Sequence, residues 1–201
     1  SYREFESRVN RFAWKLMDSG IKKHDRIAFL CPNIPALLEA HFAVPAAGAI
    51  LVPINIRLNS EDIGYILRHS GSKMLFIDSE LLPMIKELDI SGITIIEVKD
   101  TGTEDDPYEV FLSGGKDDAF EFLPEDEEEP ITLNYTSGTT GRPKGVVYSH
   151  RGAYLNSLGE AIETRLCPES VYLWTLPMFH CNGWCFTWAV TAVGGTHVCL
   201  R

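Results

Sequence analysis

One stretch of the sequence, residues 135–145, concentrates groups that bind phosphate. It reads Tyr-Thr-Ser-Gly-Thr-Thr-Gly-Arg-Pro-Lys-Gly and lies between two β-prone runs, residues 131–134 and 146–148. Glycines let backbone N–H groups turn toward an anion, hydroxyl groups add donors, and Arg142 and Lys144 add positive charge. We therefore predict a hairpin loop that holds a polyphosphate. The candidate phosphate-binding residues are Thr136, Ser137, Gly138, Thr139, Thr140, Gly141, Arg142 and Lys144.

The loop differs from the two most familiar phosphate-binding motifs. A Walker A loop has Gly directly before its Lys, Ser or Thr after it, and then a helix. Here Pro143 precedes Lys144, Gly145 follows it, and the next residues favour a strand. The G-x-G-x-x-G spacing of dinucleotide-binding folds is also absent. A polar hairpin loop without a ligand is the alternative interpretation, but the many hydroxyl groups, the paired cations and the lack of acidic residues favour phosphate binding.

A second stretch, residues 176–184, places a histidine between a predicted strand and a predicted helix. It reads Leu-Pro-Met-Phe-His-Cys-Asn-Gly-Trp. His180 follows the strand, at the edge where α/β sheets bind ligands. A single histidine is more often structural than catalytic, but the position beside Gly183 and between Phe179 and Trp184 makes His180 a candidate for chemistry. Core packing is the alternative role for Trp184.

Both stretches resemble motifs of the adenylate-forming superfamily, which groups acyl-CoA synthetases, luciferases and the adenylation domains of peptide synthetases. Residues 136–145 are similar to its signature loop, and residues 176–184 are similar to the acyl-pocket segment of fatty-acyl-CoA synthetases. The resemblance implies that His180 is a catalytic residue that orients the carboxylate and that Gly183 and Trp184 line the acyl pocket. It also implies ATP with Mg²⁺, and coenzyme A as co-substrate.

The activity implied by the resemblance is that of an AMP-forming acyl-CoA synthetase, of which this chain would be the N-terminal portion. A carboxylic acid, with a fatty acid favoured over an amino acid, would react with ATP to give an acyl-adenylate and then an acyl-CoA. The segments expected for adenine, ribose and the second catalytic domain lie outside these residues, so we expect the isolated chain to be inactive. Alternatives are an aryl-CoA ligase, a peptide-synthetase adenylation domain or a noncatalytic phosphate-binding module.

Composition excludes several other classes of protein. Of 201 residues, 45% are hydrophobic and 23% charged, as in ordinary globular proteins. The net charge of −10 disfavours nucleic acid or an anionic membrane as a partner. Five cysteines without paired spacing predict buried free thiols and no metal site. No apolar stretch is long enough to cross a bilayer. We expect a cytoplasmic protein that binds small molecules and can self-associate through uncovered apolar edges.

Apolar periodicity predicts strands and helices that alternate along the first half of the chain. Such alternation is typical of βαβ units, so we predict an α/β fold with a largely parallel sheet flanked by helices, an incomplete N-terminal part of an acyl-CoA synthetase large domain. The predicted helices are residues 2–18, 32–47, 60–69 and 81–88, and the predicted strands are residues 26–31, 50–55, 74–78 and 94–98.

Changes in composition suggest three parts. Residues 1–100 form the first α/β subdomain, and residues 101–130, rich in Gly, Asp and Glu, form an acidic connector. Residues 131–201 form the phosphate-loop hairpin and the start of a second α/β unit. The remaining predicted elements are helical segments at residues 108–112 and 119–123, a helix at 150–166, a strand at 171–176, a helix at 184–193 and a terminal strand.

Overall fold

The computed structural model describes residues 1–120, 124–136 and 141–201. A 3-10 helix covers Ser79–Ile85. The helices are α1 (Tyr2–Asp18), α2 (Pro35–Ala46), α3 (Ser60–Ser70), α4 (Pro107–Ser113), α5 (His150–Glu163), α6 (Cys181–Trp184) and α7 (Phe186–Ala192). The strands are β1 (Arg26–Leu30), β2 (Ile50–Pro53), β3 (Ser72–Asp78), β4 (Thr94–Val98), β5 (Pro130–Thr136), β6 (Lys144–Ser149), β7 (Val171–Leu173) and β8 (Thr196–Val198).

Six strands form one sheet in the order β4-β3-β1-β2-β5-β6. The first five are parallel to one another, and β6 pairs antiparallel with β5. Leu51 of β2 is the residue opposite Thr132 of β5, so the hairpin strand joins the same sheet as the first four strands. The predicted α/β fold with a largely parallel, helix-flanked sheet is therefore confirmed. Strands β7 and β8 form a separate parallel pair.

Both faces of the sheet are covered, as parallel sheets require. Ile27 and Phe29 of β1 point into one apolar cluster, whereas Ala28 and Leu30 point into the other. The first cluster contains aromatic side chains from α1, β3 and α4, and the rings of Phe29 and Phe76 stack with their centroids 4.7 Å apart. The second cluster is aliphatic and packs beneath α3.

Helix α1 is held to α2 and α4 by a partly buried group of three charged side chains as well as by apolar contacts. Arg8 Nε donates to Glu39 Oε1 over 2.5 Å, and its Nη2 donates to Glu109 Oε1 over 2.7 Å. The hydroxyl of Tyr108 donates to Glu39 Oε2 over 2.6 Å. The acidic segment that contains α4 thus packs onto the first helix.

Three predicted elements differ in the structure. The helix predicted at residues 81–88 is the 3-10 helix Ser79–Ile85, which contains Pro83, a residue without the N–H that an α-helix interior requires. The strand predicted at 171–176 ends at Leu173, because the N–H of Thr175 turns back to the Leu173 carbonyl. The helix predicted at 184–193 begins at Phe186, because the preceding backbone is left-handed. Residues 121–123 of the predicted segment 119–123 lie outside the described residues.

None of the helices described here combines the length and the apolar character needed to span a bilayer.

Candidate functional site

The two strands that flank the predicted phosphate loop form a regular hairpin stem. Thr136, at the end of β5, lies opposite Lys144 at the start of β6, and Tyr135 lies opposite Gly145. A Cβ atom on Gly145 would lie 2.8 Å from Cδ1 of Leu133, so a larger residue at this position would displace the end of the Leu133 side chain. Four predicted phosphate-binding residues fall outside the described residues: Ser137, Gly138, Thr139 and Thr140.

Helix α3 contacts the hairpin on both sides of the loop. On the β5 side, the hydroxyl of Tyr135 lies 2.8 Å from His69 Nδ1. On the other side, the guanidinium carbon of Arg142 lies 5.3 Å from the ring centroid of Tyr65, and the ring of Tyr65 stacks on His69. Burial raises the pKa of Tyr135 to about 12, so its hydroxyl stays protonated. Both ends of the loop are therefore anchored to one helix.

Gly141, Arg142 and Lys144 are exposed, as is Thr136. The two cations therefore remain accessible to an anion from solvent. Because the whole chain carries a net charge of −10, this pair provides a local positive site in a field that otherwise repels phosphate.

Residues 181–185 include α6, but their backbone is left-handed and not that of a right-handed α-helix; we call this element the left-handed turn. Its five residues all have positive φ angles, between 49° and 65°. For residues with a Cβ atom this conformation costs roughly 1–2 kcal/mol each, although Asn tolerates it better than most. Such strain persists only where surrounding contacts enforce it, and it is found most often at functional sites. His180 directly precedes the turn, with an extended backbone.

An aromatic pair, the fully buried Trp174 and the half-buried His197, packs against the turn. The ring of Trp174 lies against Gly183, and its indole N–H donates to His197 Nδ1 over 3.0 Å. Because Nδ1 accepts, the other ring nitrogen carries the proton and donates to the Thr191 hydroxyl over 2.9 Å. Burial lowers the pKa of His197 to about 4, which keeps the ring neutral and this arrangement fixed.

The structure places the other candidate residues of this segment at the surface. His180 is exposed, and its Nε2 lies 3.9 Å from the sulfur of Cys181. Trp184 is 54% exposed, and its carbonyl accepts from the Asn156 side chain over 3.3 Å. Trp184 is therefore not a core residue. It forms one wall of an open cleft of about 320 Å³, whose lining residues are Val147, Tyr148, Ser149, Gly152, Asn156 and Trp184.

The left-handed turn and the hairpin lie side by side. The Asn182 amide donates to Thr132 Oγ1 over 2.9 Å, which joins the turn to the strand that leads into the loop. On β6, the hydroxyl of Tyr148 contacts Cys181. The structure thus brings the segment of His180, Gly183 and Trp184 against the hairpin that carries Thr136 and Lys144.

Sequence reasoning missed the buried polar residues between these segments. His41 on α2, Thr132 and Asn134 on β5, and Asn182 are each no more than 5% exposed. One signal was available: Thr132, Asn134 and Thr136 alternate with apolar residues along β5, so three polar side chains share one face of an otherwise buried strand.

The described residues offer no cluster of three or more His, Cys, Asp or Glu side chains that could hold a metal ion. In the same part of the chain, all five cysteines are free. Burial raises the pKa of Cys185 to about 11 and that of Cys31 well above its ordinary value, so both thiols are unreactive at neutral pH.

Comparison with protein families gives one match over the whole chain. The model of the family described as AMP-binding enzyme matches residues 1–201. Among curated relatives, the chain is 47% identical to a peroxisomal benzoate–CoA ligase of Arabidopsis thaliana over 96% of its length, and 44% identical to the peroxisomal butyrate–CoA ligase AAE11 of the same plant over 96%. It spans only 37% of the length of either relative.

Solved structures of similar proteins share the fold. The ATP-bound crystal structure of MatB from Rhodopseudomonas palustris matches the whole chain with a TM-score of 0.87 and 25% identity, and the chain covers 40% of that protein. The inhibitor-bound N-terminal domain of FACL13 from Mycobacterium tuberculosis matches with a TM-score of 0.86 and 26% identity, over 100% of this chain and 50% of that one.

Proposed function

Because this chain belongs to the family of AMP-binding enzymes, we propose that it is the N-terminal portion of an ATP-dependent, AMP-forming acyl-CoA synthetase. In the proposed reaction a carboxylate oxygen attacks the α-phosphorus of ATP, the bond to pyrophosphate breaks, and an acyl-adenylate forms. The thiol of coenzyme A then attacks the acyl carbon and AMP leaves. The observation that carries this proposal is the contact between the left-handed turn and the hairpin, joined by the Asn182–Thr132 hydrogen bond.

The hairpin is the proposed site of the ATP phosphates. Transfer to the α-phosphorus needs alignment and charge stabilisation more than covalent help from the protein. Lys144 and Arg142 are exposed at the base of the loop and supply charge, and Thr136 is exposed at the end of β5. These positions, together with residues 137–141, are the proposed contacts to the leaving pyrophosphate.

The left-handed turn is the proposed site of the carboxylic acid. His180 is exposed where the turn begins, so its ring is accessible to a carboxylate. Trp184 and Gly183 follow within the turn, and Trp184 lines the cleft of about 320 Å³ that continues toward β6 and α5. We propose that this cleft accepts the apolar part of the acid.

The proposal also concerns which kind of carboxylic acid the enzyme activates. The sequence motif favours a fatty or related hydrophobic acid, and relatives are named for butyrate and benzoate. An aryl-CoA ligase is therefore the nearest alternative. The aromatic wall formed by Trp184 and Tyr148 suits either a short alkyl chain or a ring.

Magnesium, coenzyme A and cellular location also remain proposals. Because the described residues hold no metal-binding cluster, we propose that Mg²⁺ arrives with the phosphates of ATP.

A cytoplasmic location is the expectation from the sequence, whereas both relatives described above are named peroxisomal. Cell fractionation distinguishes these two compartments.

We further propose that the isolated 201-residue chain is inactive and self-associates. Apolar side chains on α5 and on the β7–β8 pair are exposed, including Tyr154 at 64%, Ile162 at 73% and Val171 at 68%. Exposed apolar groups of this kind favour association between copies. Sedimentation of the isolated chain tests this, since a monomer at high concentration contradicts it.

The decisive experiment is pyrophosphate exchange into ATP by the complete protein, with butyrate, benzoate and a long-chain fatty acid. We expect acid-dependent exchange with at least one of them. Lys144→Ala and His180→Ala should lower the exchange rate, whereas Lys86→Ala, which changes an exposed lysine outside the hairpin, should not. Nucleotide binding without exchange for any acid would instead support a noncatalytic phosphate-binding module, and exchange only with amino acids would support a peptide-synthetase adenylation domain.

A further inference from the structure

One asparagine side chain contacts the segment that leads to His180. Asn33 follows β1, the strand that lies between β3 and β2 in the sheet. Its side-chain nitrogen donates to the Trp174 carbonyl over 2.8 Å and to the Leu176 carbonyl over 3.0 Å. Its side-chain oxygen accepts from the Met178 N–H over 2.8 Å. Three hydrogen bonds therefore join positions that are 141 to 145 residues apart along the chain.

These bonds engage both ends of the side-chain amide. An asparagine side chain has two N–H donors and one carbonyl oxygen. Both donors and the oxygen of Asn33 have partners, and the residue is only 8% exposed. Asparagine is often found capping a helix, and α2 begins two residues later at Pro35, but α2 has no side-chain cap. The amide of Asn33 therefore holds a distant segment and not its own helix.

Residues 174–178, which we call the lead-in segment, need such partners because they have left their strand. Strand β7 ends just before them, and the N–H of Thr175 turns back to the last residue of that strand. Trp174 and Met178 are fully buried, so backbone groups left unpaired there would be unfavourable. Asn33 supplies the two donors and the acceptor that a neighbouring strand would otherwise provide.

The lead-in segment is joined directly to the proposed catalytic histidine. The N–H of His180 donates to the Pro177 carbonyl over 3.1 Å. At the other end of the segment, the ring of Trp174 packs against Gly183 of the left-handed turn. A shift of the lead-in segment would therefore move both His180 and the turn that follows it.

Asn33 has a fixed position of its own. Pro32 and Pro35 restrict the backbone on either side of it, and the N–H of Ile34 donates to the Pro32 carbonyl over 2.9 Å. This stretch lies at the carboxyl end of β1, which pairs with β2 on one side and with β3 on the other. Sheets of this kind bind ligands at the strand ends where the connections diverge in this way. The sheet thus sets the position of Asn33, and Asn33 sets that of the lead-in segment.

We infer that Asn33 is a positioning residue, which fixes the lead-in segment on the sheet and so holds His180 in place for the carboxylate. This inference rests on the proposed function. Asn33 does not touch the reacting atoms. None of its three hydrogen bonds involves the hairpin, so the ATP phosphates should bind equally well without it. A small misplacement of a reacting group lowers the rate strongly even where the substrates still bind.

The test uses the complete protein, in which Asn33→Ala removes all three hydrogen bonds. We expect kcat for pyrophosphate exchange to fall by roughly ten- to a hundredfold, with little change in the KM for ATP. Hydrogen exchange measured by mass spectrometry should show lost protection at Met178 and His180. Asn10→Ala is the matched control, because Asn10 also accepts from a backbone N–H, that of Phe120 over 3.2 Å, and it should behave like the wild type.

Met74→Ala distinguishes positioning from a general loss of stability. Met74 is 3% exposed and lies near the start of β3, at the edge of the sheet opposite Asn33. Removing its side chain should lower the free energy of unfolding, because it leaves a cavity in the core. It should not change kcat, since the lead-in segment keeps its hydrogen bonds.

Asn33→Asp provides a readout that depends on the hydrogen bonds themselves. Its carboxyl group can still accept from the Met178 N–H, but it can donate to a carbonyl only when it is protonated. The ratio of its exchange rate to the wild-type rate should therefore rise as the pH is lowered. Should Asn33→Ala fail to fold, this variant takes its place.

Three results overturn the inference and leave the proposed function intact. They are exchange at the wild-type rate by Asn33→Ala, an equal loss of kcat in Met74→Ala, and a rate ratio for Asn33→Asp that does not depend on pH. A wild-type protein that exchanges no pyrophosphate with any acid overturns the proposed function and the inference with it.

Discussion

A Cβ atom added to Gly183 would lie 2.9 Å from Cη2 of Trp174 and closer still to Cζ3 of the same ring. Trp174 cannot move aside easily, because it is fully buried and hydrogen-bonded to His197. Gly183 also has a φ of 59°, in the left-handed region. Two independent reasons therefore require glycine at position 183: the space beside the Trp174 ring and the left-handed backbone conformation.

We expect Gly183→Ala to destabilise the protein and to weaken acid-dependent exchange, because the ring and the turn cannot both keep their places. The cost should be about 1–3 kcal/mol, the range for overpacking a core. Urea unfolding measures it. Gly159→Ala is the matched control: its Cβ would meet nothing within 4 Å in α5, and it should stabilise by about 0.5–1 kcal/mol. Equal effects of the two substitutions would contradict the role assigned to Gly183.

Loss of the Arg8 side chain should lower the free energy of unfolding far more than loss of a surface cation does. Arg8→Met leaves the Glu39 carboxylate, whose side chain is 3% exposed, without its positive partner. Removing one partner of a fully buried pair costs about 3–5 kcal/mol, and because the Arg8 side chain is 27% exposed, we expect a loss at or below the lower end of that range. Arg11→Met, which breaks the exposed pair with Asp117, should change the free energy of unfolding little. Comparable losses in the two variants would show that the Arg8 pair is no stronger than a surface pair.

The ring of Tyr65 should matter for nucleotide binding because it holds Arg142 at the base of the loop. Tyr65→Leu removes the cation–π contact, which is worth about 0.5–1 kcal/mol at exposed sites and so a factor of roughly two to five in the Kd for ATP. Tyr65→Phe keeps the ring and should bind ATP like the wild type. Isothermal titration measures both, and equal or tighter binding by Tyr65→Leu would refute this role.

Stability should fall as the pH is lowered from about 6.5 to 4. Burial lowers the pKa of His41 from its ordinary value near 6.5 to about 4, so the unfolded chain binds this proton first. The stabilisation by neutral His41 is complete above pH 6.5 and is lost as the pH falls through 4, a change of roughly 3 kcal/mol. Unfolding free energies measured across this range check it, and His41→Gln should reduce their pH dependence. If the free energy of unfolding of His41→Gln depends on pH as strongly as that of the wild type, other groups cause the pH dependence.

Much of the fold could be predicted because local pattern and tertiary packing agree. The apolar spacing of Phe12 and Leu16 predicts helix α1, and the structure gives the same bounds, Tyr2–Asp18. Strand β4 also has its predicted bounds, Thr94–Val98. In both elements the residues that favour the local structure are those that the core needs. The proposed division at residues 101–130 stays a prediction.

The rest of the site depends on contacts that no local pattern contains. Asn182 and Gly183 tolerate positive φ, but nothing in the neighbouring sequence indicates five consecutive left-handed residues. Packing against Trp174 and the hydrogen bond to Thr132 impose this conformation. The contact between the Arg142 guanidinium and the Tyr65 ring likewise depends on how α3 packs against the hairpin. The loop motif could be identified from sequence, but the anchoring of the loop could not.

The pairing of Leu51 with Thr132 has a consequence for how the chain folds. These partners are about 80 positions apart along the chain, whereas β1, β2 and β3 lie within residues 26–78. Closing a long segment costs entropy before any contact is gained, so distant pairings tend to form slowly. We expect pulse-labelled amides of β1 and β3 to become protected from exchange before those of β5. The strand that bears the proposed phosphate loop would then dock after β1 and β3 have paired, and the proposed phosphate site would form only after that step.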